Sequence, residues 1–395
     1  MKFPSLQSPA FRQSRAVLLT SFTNKVGSIG LSLISILLVK RGVSTAEGSL
    51  VLASLKATIL AGTLVGGALS DRFSTRSLAL AALLMSAAGL GLLPFQTAIA
   101  GILLCGVLGQ FAESLMNVVQ RLLLVGQVEP KHHKESLGWL RMTNNFAQIF
   151  SFSIAAVGSG FGVAPLMLFD SSTSLAAFFV GRRILPAADS GAPRESKVAG
   201  EEAGGSAPLG AFLGCAVVLL GWSLMYELFL EGGAGRLEIL HPGEGLRRFS
   251  TMMILNTVLC AAFAVQATRL FRDSWAAISG GVALTAAGLL IAGWGMASQF
   301  WVFAGMLCMT VGELMLGAVA QYTLMRLTPA GRNSGFYYST GLTLMQCGRI
   351  AGAGLAFPFL IHAQSLERFT ALVVVIPVVQ LAVLLGLRRE IRRLA

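Results

Sequence analysis

The chain has 395 residues, of which 54% are hydrophobic and only 12% charged, and its formal net charge is +12. A soluble protein of this length carries about twice that charged fraction, so this composition, with a mean hydropathy of +0.72, excludes an ordinary soluble globular protein. It indicates an integral membrane protein. The basic residues lie in short connections between apolar runs, as in a membrane bundle, which argues against a nucleic-acid partner.

Twelve apolar runs are long enough to cross a bilayer as α-helices, because a span needs about 20 residues. In chain order the predicted spans are 16–39, 47–70, 77–95, 98–125, 137–159, 162–181, 208–230, 249–268, 274–295, 299–326, 333–361 and 367–387. We therefore expect an all-α polytopic membrane protein that lies in a lipid bilayer. The five cysteines fall inside these runs without a CxxC pair, which predicts neither a disulfide nor a metal site.

One connection differs from the others in length and composition. Residues 182–207 are rich in Gly, Ala, Pro, Ser and charge, without apolar periodicity, which is typical of a linker. We expect an N-terminal six-helix bundle over 1–181, a cytoplasmic linker over 182–207 and a C-terminal six-helix bundle over 208–395. The distribution of Lys and Arg predicts that both termini are cytoplasmic.

The two halves also resemble each other in sequence. Glu113 in the fourth span precedes Pro130 by 17 residues, and Glu313 in the tenth span precedes Pro329 by 16. Repetition of six-span halves is typical of secondary transporters, in which two bundles move about a central site.

Polar residues recur at helical spacing inside several spans, so that they share one face of each helix. These rows include Asn24 and Lys25 in the first span, Gln110, Glu113 and Asn117 in the fourth, and Asn144 and Gln148 in the fifth. A charge at membrane depth costs ~2.5–3.5 kcal/mol on insertion scales and usually faces a cavity or a partner. We therefore expect the rows to line water.

A short stretch between the second and third spans resembles a known family motif. Residues 67–76 read GALSDRFSTR, which resembles the cytoplasmic G-x-L-A-D-R-x-G-R-R/K motif of the major facilitator superfamily. The residues that match it are Gly67, Leu69, Asp71, Arg72 and Arg76. Ser74 and Thr75 depart from it. The resemblance implies that Gly67, Asp71, Arg72 and Arg76 form a conformational gate on the cytoplasmic side; the alternative is that the charged residues only anchor span ends at the interface.

Two further stretches resemble the twelve-helix drug–proton antiporter branch of that family. They are MILNTVLCAAFAVQATRLFRD, similar to its eighth span, and VGELMLGAVAQYTLMRLTPAGRNSGFY, similar to its tenth. The fifth-span motif of that branch, G-x-x-x-G-P-x-x-G-G, is missing here.

The family resemblance also implies which spans surround the substrate, because spans 1, 4, 7 and 10 line the cavity in that family and spans 2, 5, 8 and 11 flank it. The predicted cavity residues are Asn24, Lys25, Lys56, Gln110, Glu113, Asn117, Asn144, Gln148, Glu227, Asn256, Gln346 and Arg349. The predicted proton-coupling residues are Glu113, Glu227 and Glu313. Glu113 is the first candidate, since burial and a nearby lysine act on a carboxylate in opposite directions. Asp170, on an outer helix, is expected to bond to neighbouring spans and not to take part in transport.

Lys25 has three interpretations. It can pair with Glu113 or another cavity carboxylate, it can meet a negatively charged part of the cargo together with Lys56, or it can extend its ammonium group to the interface. The third is disfavoured because Lys25 lies ~15 Å from the start of its span at the α-helical rise.

The sequence as a whole predicts a monomeric secondary transporter in a cell inner membrane. We expect proton-coupled export of a small amphipathic organic molecule, with or without an anionic group, by alternating access. The proton gradient serves as energy source and no cofactor is expected, since no GxxxxGK[ST] loop for ATP occurs. The alternatives are proton-coupled uptake, translocation of a lipid-like substrate, a polytopic membrane enzyme and a sensor. An enzyme is disfavoured because no HExxH motif, acidic metal pair or Ser/His/Asp set is present.

Overall fold

The computed structural model describes residues 8–70, 72–129, 132–186, 209–270, 274–327, 334–362 and 366–392. Within these ranges all regular secondary structure is helical, which confirms the predicted all-α class. The α-helices are α1 (Pro9–Lys25), α2 (Ile34–Lys40), α3 (Thr45–Ser70), α4 (Thr75–Leu92), α5 (Ile99–Gln127), α6 (His133–Val157), α7 (Val163–Ile184), α8 (Leu209–Leu240), α9 (Gly245–Leu270), α10 (Ser274–Trp294), α11 (Gln299–Leu327), α12 (Ser334–Ala356) and α13 (Glu367–Arg392).

The helices match the twelve predicted spans, with α1 and α2 together forming the first. Ten segments in the described part of the chain are long and apolar enough to cross a membrane. Helices α6 and α9 are not among them; in α6, Arg141, Asn144, Asn145 and Gln148 interrupt the apolar sequence.

The chain divides into two compact units. The first comprises residues 1–37 and 54–193, and the second comprises 38–53 and 194–395. Leu83 of α4 and Val119 of α5 belong to the buried core of the first unit, and Phe212 of α8 and Ile278 of α10 to that of the second. The predicted boundaries at 182–207 stay a prediction, since residues 187–208 lie outside the described ranges.

The first span is interrupted near its middle, which the sequence analysis did not predict. Helix α1 ends at Lys25, a 3-10 turn covers Gly30–Leu33, and α2 begins at Ile34. Ile29, just before the turn, leaves the helical conformation with φ −123° and ψ −24°. The intervening sequence contains two glycines, which are poor helix formers, so little propensity opposes the break.

Glycines bring specific helices into backbone contact. A Cβ atom on Gly288 of α10 would lie 2.5 Å from the carbonyl oxygen of Gly305 of α11, and the reverse distance is also 2.5 Å. A Cβ on Gly352 of α12 would lie 2.2 Å from the carbonyl oxygen of Leu224 of α8. Each pair therefore packs at a separation that no residue with a side chain permits, as in other membrane helix pairs with small residues at the interface.

The connection between α2 and α3 belongs to the second unit, and the residues on either side of it contact other parts of that unit. Lys40 Nζ lies 3.2 Å from Glu238 Oε1 at the end of α8, and Thr45 Oγ1 lies 2.9 Å from His362 Nδ1. The backbone N–H of Gly243 also donates to Glu238 Oε1, at 3.1 Å.

Candidate functional site

A buried ion pair joins the first and fourth spans of the first unit. Lys25, the last residue of α1, donates a hydrogen bond to Glu113 of α5. The Lys25 side chain is 7% exposed and that of Glu113 is 24% exposed. Lys25 therefore occupies the arrangement that its ion-pair interpretation predicts. Removing one partner of such a pair leaves an uncompensated charge inside the protein, so the two groups depend on each other.

A polar network lies beside this pair and connects three helices. Ser21 Oγ of α1 lies 2.9 Å from Gln120 Oε1 of α5 and 2.7 Å from Asn144 Oδ1 of α6. Because a serine has one hydroxyl hydrogen, it donates to these acceptors alternately. Gln120 Nε2 in turn donates to Asn117 Oδ1 at 3.2 Å. The polar rows on α5 and α6 thus contact each other through the first span.

The other predicted cavity residues of the first unit differ in their surroundings. Asn24 is buried and accepts a hydrogen bond from Ser174 Oγ of α7 at 3.0 Å. Gln110 is buried, whereas Gln148 and Lys56 are half-buried. The charge of Lys56 also acts on Glu113, so two lysines influence that carboxylate.

Asp170 contacts the interruption in the first span. It is 4% exposed, and its Oδ2 accepts the backbone N–H of Gly30 at 2.9 Å. The first N–H groups of a helix have no partner within the helix, and Asp170 of α7 supplies one for the second part of this span. The expectation that Asp170 bonds to a neighbouring span is confirmed.

The second unit holds its own buried carboxylate site around Glu313 of α11. Glu313 Oε2 accepts from the Tyr226 hydroxyl at 2.8 Å and from Asn256 Nδ2 at 3.1 Å. Asn256 Nδ2 also lies 3.1 Å from Thr310 Oγ1. The ring of Tyr226 stacks on Trp222, with centroids 5.4 Å apart. Neutral donors therefore hold this carboxylate, in contrast to the lysine that holds Glu113.

The two carboxylates occupy equivalent positions in their helices. Helices α5 and α11 both have 29 residues, beginning at Ile99 and Gln299, so Glu113 and Glu313 are each the fifteenth residue. The similarity between the halves thus extends to the placement of the acid. Pro130 and Pro329, which marked it in the sequence, lie outside the described residues.

The remaining predicted residues of the second unit lie on α8 and α12. Glu227 is buried on α8, and Gln346 and Arg349 are half-buried on α12. Gln346 Oε1 is buried and accepts no hydrogen bond from any residue that the structure describes. These residues share one unit with Glu313.

The predicted gate is described only in part, because Asp71 lies outside the described residues. Arg72 is exposed, and Gly67 is half-buried with open space at the position that a Cβ atom would occupy. Arg76 Nη2 donates to the carbonyl oxygen of Arg182 at 2.6 Å, which ties α4 to the last turn of α7. Ser74, at a position where the family motif has glycine, caps α4 by accepting the N–H of Ser77 at 3.2 Å. The gating role stays a prediction.

Three contacting residues were absent from the predicted set. Ser21 lies one turn before Lys25, and Gln120 lies one turn after Asn117, so the helical spacing of the polar rows was the signal for them. Tyr226 carried no such signal, because the apolar residues of α8 are distributed around the whole helix and do not indicate which face meets α11.

Long apolar helices in two units, each with a carboxylate at the middle of a span, define a polytopic membrane transporter. The model of the Major Facilitator Superfamily matches residues 16–361. The chain belongs to this superfamily. No curated protein sequence matches the chain significantly.

Solved structures of transporters share this fold at low sequence identity. A mutant of the peptide transporter POT in complex with alafosfalin is similar with a TM-score of 0.76 and 14% identity, covering 96% of this chain and 95% of that one. A mutant of the nucleoside transporter NupG gives 0.70 and 12%, covering 95% and 99%. The D-xylose–proton symporter gives 0.71 and 11%, covering 96% of both chains. At these identities the likeness shows the fold alone. Membership of the Major Facilitator Superfamily makes the chain a secondary transporter and not an enzyme.

Proposed function

We propose that this transporter moves a small amphipathic organic molecule by alternating access coupled to protons, and that Glu113 exchanges the proton. The Lys25–Glu113 ion pair carries this proposal. The pair is largely buried, yet the Glu113 side chain retains 24% exposure, which leaves its carboxylate open to a proton donor. A proton on Glu113 breaks the pair and leaves Lys25 as a buried cation without its counter-ion.

That released cation suggests the chemistry of the cargo. A buried ammonium group requires an anion or a hydrogen-bonding partner. An anionic group on the cargo would supply one, with the half-buried Lys56 adding a second positive charge nearby. On this proposal the ion-pair and cargo-binding interpretations of Lys25 describe two steps of one cycle.

We propose that this cycle runs as proton-coupled uptake, because the proton on Glu113 and the anion on Lys25 bind together and therefore cross together. The D-xylose–proton symporter among similar structures supports uptake. The second candidate is export, which the resemblance of the eighth and tenth spans to drug–proton antiporters supports and which would require the proton and the cargo to exclude each other. We propose a cell inner membrane as the location and a monomer whose two termini are cytoplasmic, an orientation that the excess of basic residues in alternate connections supports. Movement of a lipid-like molecule and assignment to the antiporter branch stay predictions.

The test uses a charged and a neutral probe of one shape, 2-naphthalenesulfonate and 2-naphthalenesulfonamide, with purified protein in liposomes. An imposed pH gradient is expected to drive accumulation of the sulfonate by the wild type. Glu113→Gln should abolish the dependence on the gradient while exchange of labelled for unlabelled probe continues. The polarity of the effective gradient separates export from uptake.

Glu129→Gln is the matched control, because Glu129 lies just beyond the end of α5. It should accumulate the probe like the wild type. Gradient-driven accumulation by Glu113→Gln at the wild-type rate would exclude Glu113 as the coupling residue.

A further inference from the structure

A cavity lies near the starts of α9 and α11 in the second unit. It has a volume of about 330 Å³ and is lined by Arg247, Arg248, Thr251, Gln299 and Phe303. Helix α9 begins two residues before the first of these arginines, and α11 begins at the glutamine itself. Ligand pockets in proteins have volumes of ~300–1,000 Å³, so this cavity suits a small polar group and not the whole of a larger molecule.

Two arginines occupy the end of α9 at which a helix disfavours positive charge. The N–H groups at a helix start give that end a partial positive charge, which attracts anions and repels cations. Glu244, just before the helix, offsets this in part, because its carboxylate oxygens lie 3.1 Å from Arg247 Nη2 and 3.1 Å from Arg248 Nη2. One carboxylate meets two guanidinium groups, so these three side chains together keep one positive charge beside the cavity.

The cavity wall carries hydrogen-bonding groups that the protein does not use. An arginine has five N–H donors, and Arg247 donates one of them to Glu244; its other donors meet no acceptor within the ranges that the structure describes. The Arg247 side chain is 57% exposed, so a molecule at the protein surface can reach these donors. Across the cavity, Gln299 Oε1 is buried and accepts no hydrogen bond from a described residue. Bonding capacity for a ligand therefore remains on both helices.

Exposed aromatic rings mark this end of the second unit as the membrane surface. Phe300 and Trp301, at the start of α11, are 68% and 52% exposed, and Trp294, at the end of α10, is 61% exposed. Tryptophan is enriched in membrane proteins at the level of the lipid headgroups. Phe303 follows Phe300 by one helical turn and lies farther along the span. The cavity thus combines positive charge at headgroup level with an aromatic ring on the side of the hydrocarbon.

We propose that this cavity binds the headgroup of an anionic phospholipid. The phosphate accepts hydrogen bonds from Arg247 and Arg248, and the glycerol ester part of the lipid lies against Phe303. The planar guanidinium group presents parallel N–H donors that match phosphate oxygens, and basic pockets between membrane helices recognise such headgroups. A bound phosphate neutralises the remaining positive charge at the start of α9. The site shares no residue with the Lys25–Glu113 pair, so it does not depend on the proposed function.

The test compares two lipids added to the purified full chain in detergent. Dioleoylphosphatidylglycerol is the anionic probe, and dioleoylphosphatidylcholine, which has the same acyl chains and no net charge, is the reference. Phosphatidylglycerol should raise the unfolding temperature of the wild type at concentrations at which phosphatidylcholine does not. The concentration that gives half of this effect should rise about fivefold in Arg247→Gln and about 25-fold in Arg247→Gln/Arg248→Gln, the change expected for each basic residue beside an anionic headgroup.

Two further variants separate a loss of binding from a loss of folding. Arg368→Gln is the matched control, because Arg368 is exposed in the first turn of another helix, α13, and does not line the cavity; it should respond to phosphatidylglycerol like the wild type. Thr251→Glu keeps both arginines and places a carboxylate in the cavity, one turn from Arg247, where it takes the place of the phosphate. Its unfolding temperature should no longer depend on phosphatidylglycerol, and this result stands even if the double arginine variant does not fold.

Equal responses of the wild type and the double arginine variant to phosphatidylglycerol would overturn the proposal. Equal effects of the two lipids on the wild type, or a continued response of Thr251→Glu, would overturn it as well. Glycerol phosphate, which carries the phosphate without acyl chains, distinguishes a lipid from a soluble anion. If it stabilises the wild type at the same concentration as phosphatidylglycerol, and the arginine substitutions abolish both effects, the cavity binds a soluble phosphate and the lipid assignment is wrong.

Discussion

A double-mutant cycle on Lys25 and Glu113 measures how strongly the central ion pair stabilises the first unit. The single variants are Lys25→Met and Glu113→Gln, and the double variant combines them. Removing one partner of a buried pair costs about 3–5 kcal/mol. Lys25 is 7% exposed and Glu113 is 24% exposed, so the more deeply buried lysine suffers most when it is left alone.

We therefore expect Glu113→Gln to destabilise by about 3 kcal/mol. Lys25→Met should cost less, because Glu113 is partly exposed, retains the influence of Lys56 and can take a proton. The double variant should be more stable than the sum of the single effects predicts, by about 1–3 kcal/mol, the range for residues in contact.

The assay is reversible unfolding in mixed micelles of increasing denaturing detergent, followed by tryptophan fluorescence and circular dichroism. Strict additivity of the two substitutions would refute the account of a mutually dependent pair. Single variants as stable as the wild type would do so as well.

Three other tests probe separate parts of the structure. Gly352→Ala should lower the unfolding temperature by several degrees, because its Cβ would lie 2.2 Å from a backbone oxygen of α8. Gly67→Ala is its control and should leave the unfolding temperature unchanged, because the space at its Cβ position is open. Tyr226→Phe removes a donor to the carboxylate of Glu313 and should cost about 1–3 kcal/mol in the same detergent assay; no loss would mean that water replaces the hydroxyl. The pKa of Glu244, between α8 and α9, is lowered chiefly by the hydrogen bond that the guanidinium of Arg248 donates to its carboxylate. Its contribution to stability should be present above the ordinary value of 4.5 and disappear as pH falls further, so Glu244→Gln should differ from the wild type at neutral pH and converge with it in acid.

The sequence predicted the spans and the ion pair for a physical reason. Apolar length reports a membrane helix directly, and the polar rows could not face lipid without cost. Lys25 and Glu113 lay on such rows, and pairing with Glu113 was one interpretation that the spacing allowed.

The interruption of the first span could not be predicted in the same way. Its apolar sequence satisfies the length requirement whether or not the helix is continuous. What stabilises the break is the carboxylate of Asp170, which meets a backbone N–H 140 residues away in the chain. Spacing within one helix carries no information about which neighbour it meets. The apolar residues of α8 and α11 are distributed around each helix, so these two sequences do not reveal their orientation either.

The equal placement of Glu113 and Glu313 at the fifteenth position of two 29-residue helices makes the two halves an internal comparison. The acids share a position in their helices but not their neighbours, since one is paired with an ammonium group and the other with a phenol and an amide. Exchanging the immediate neighbours of the two acids would therefore show whether their behaviour resides in the acids or in what surrounds them.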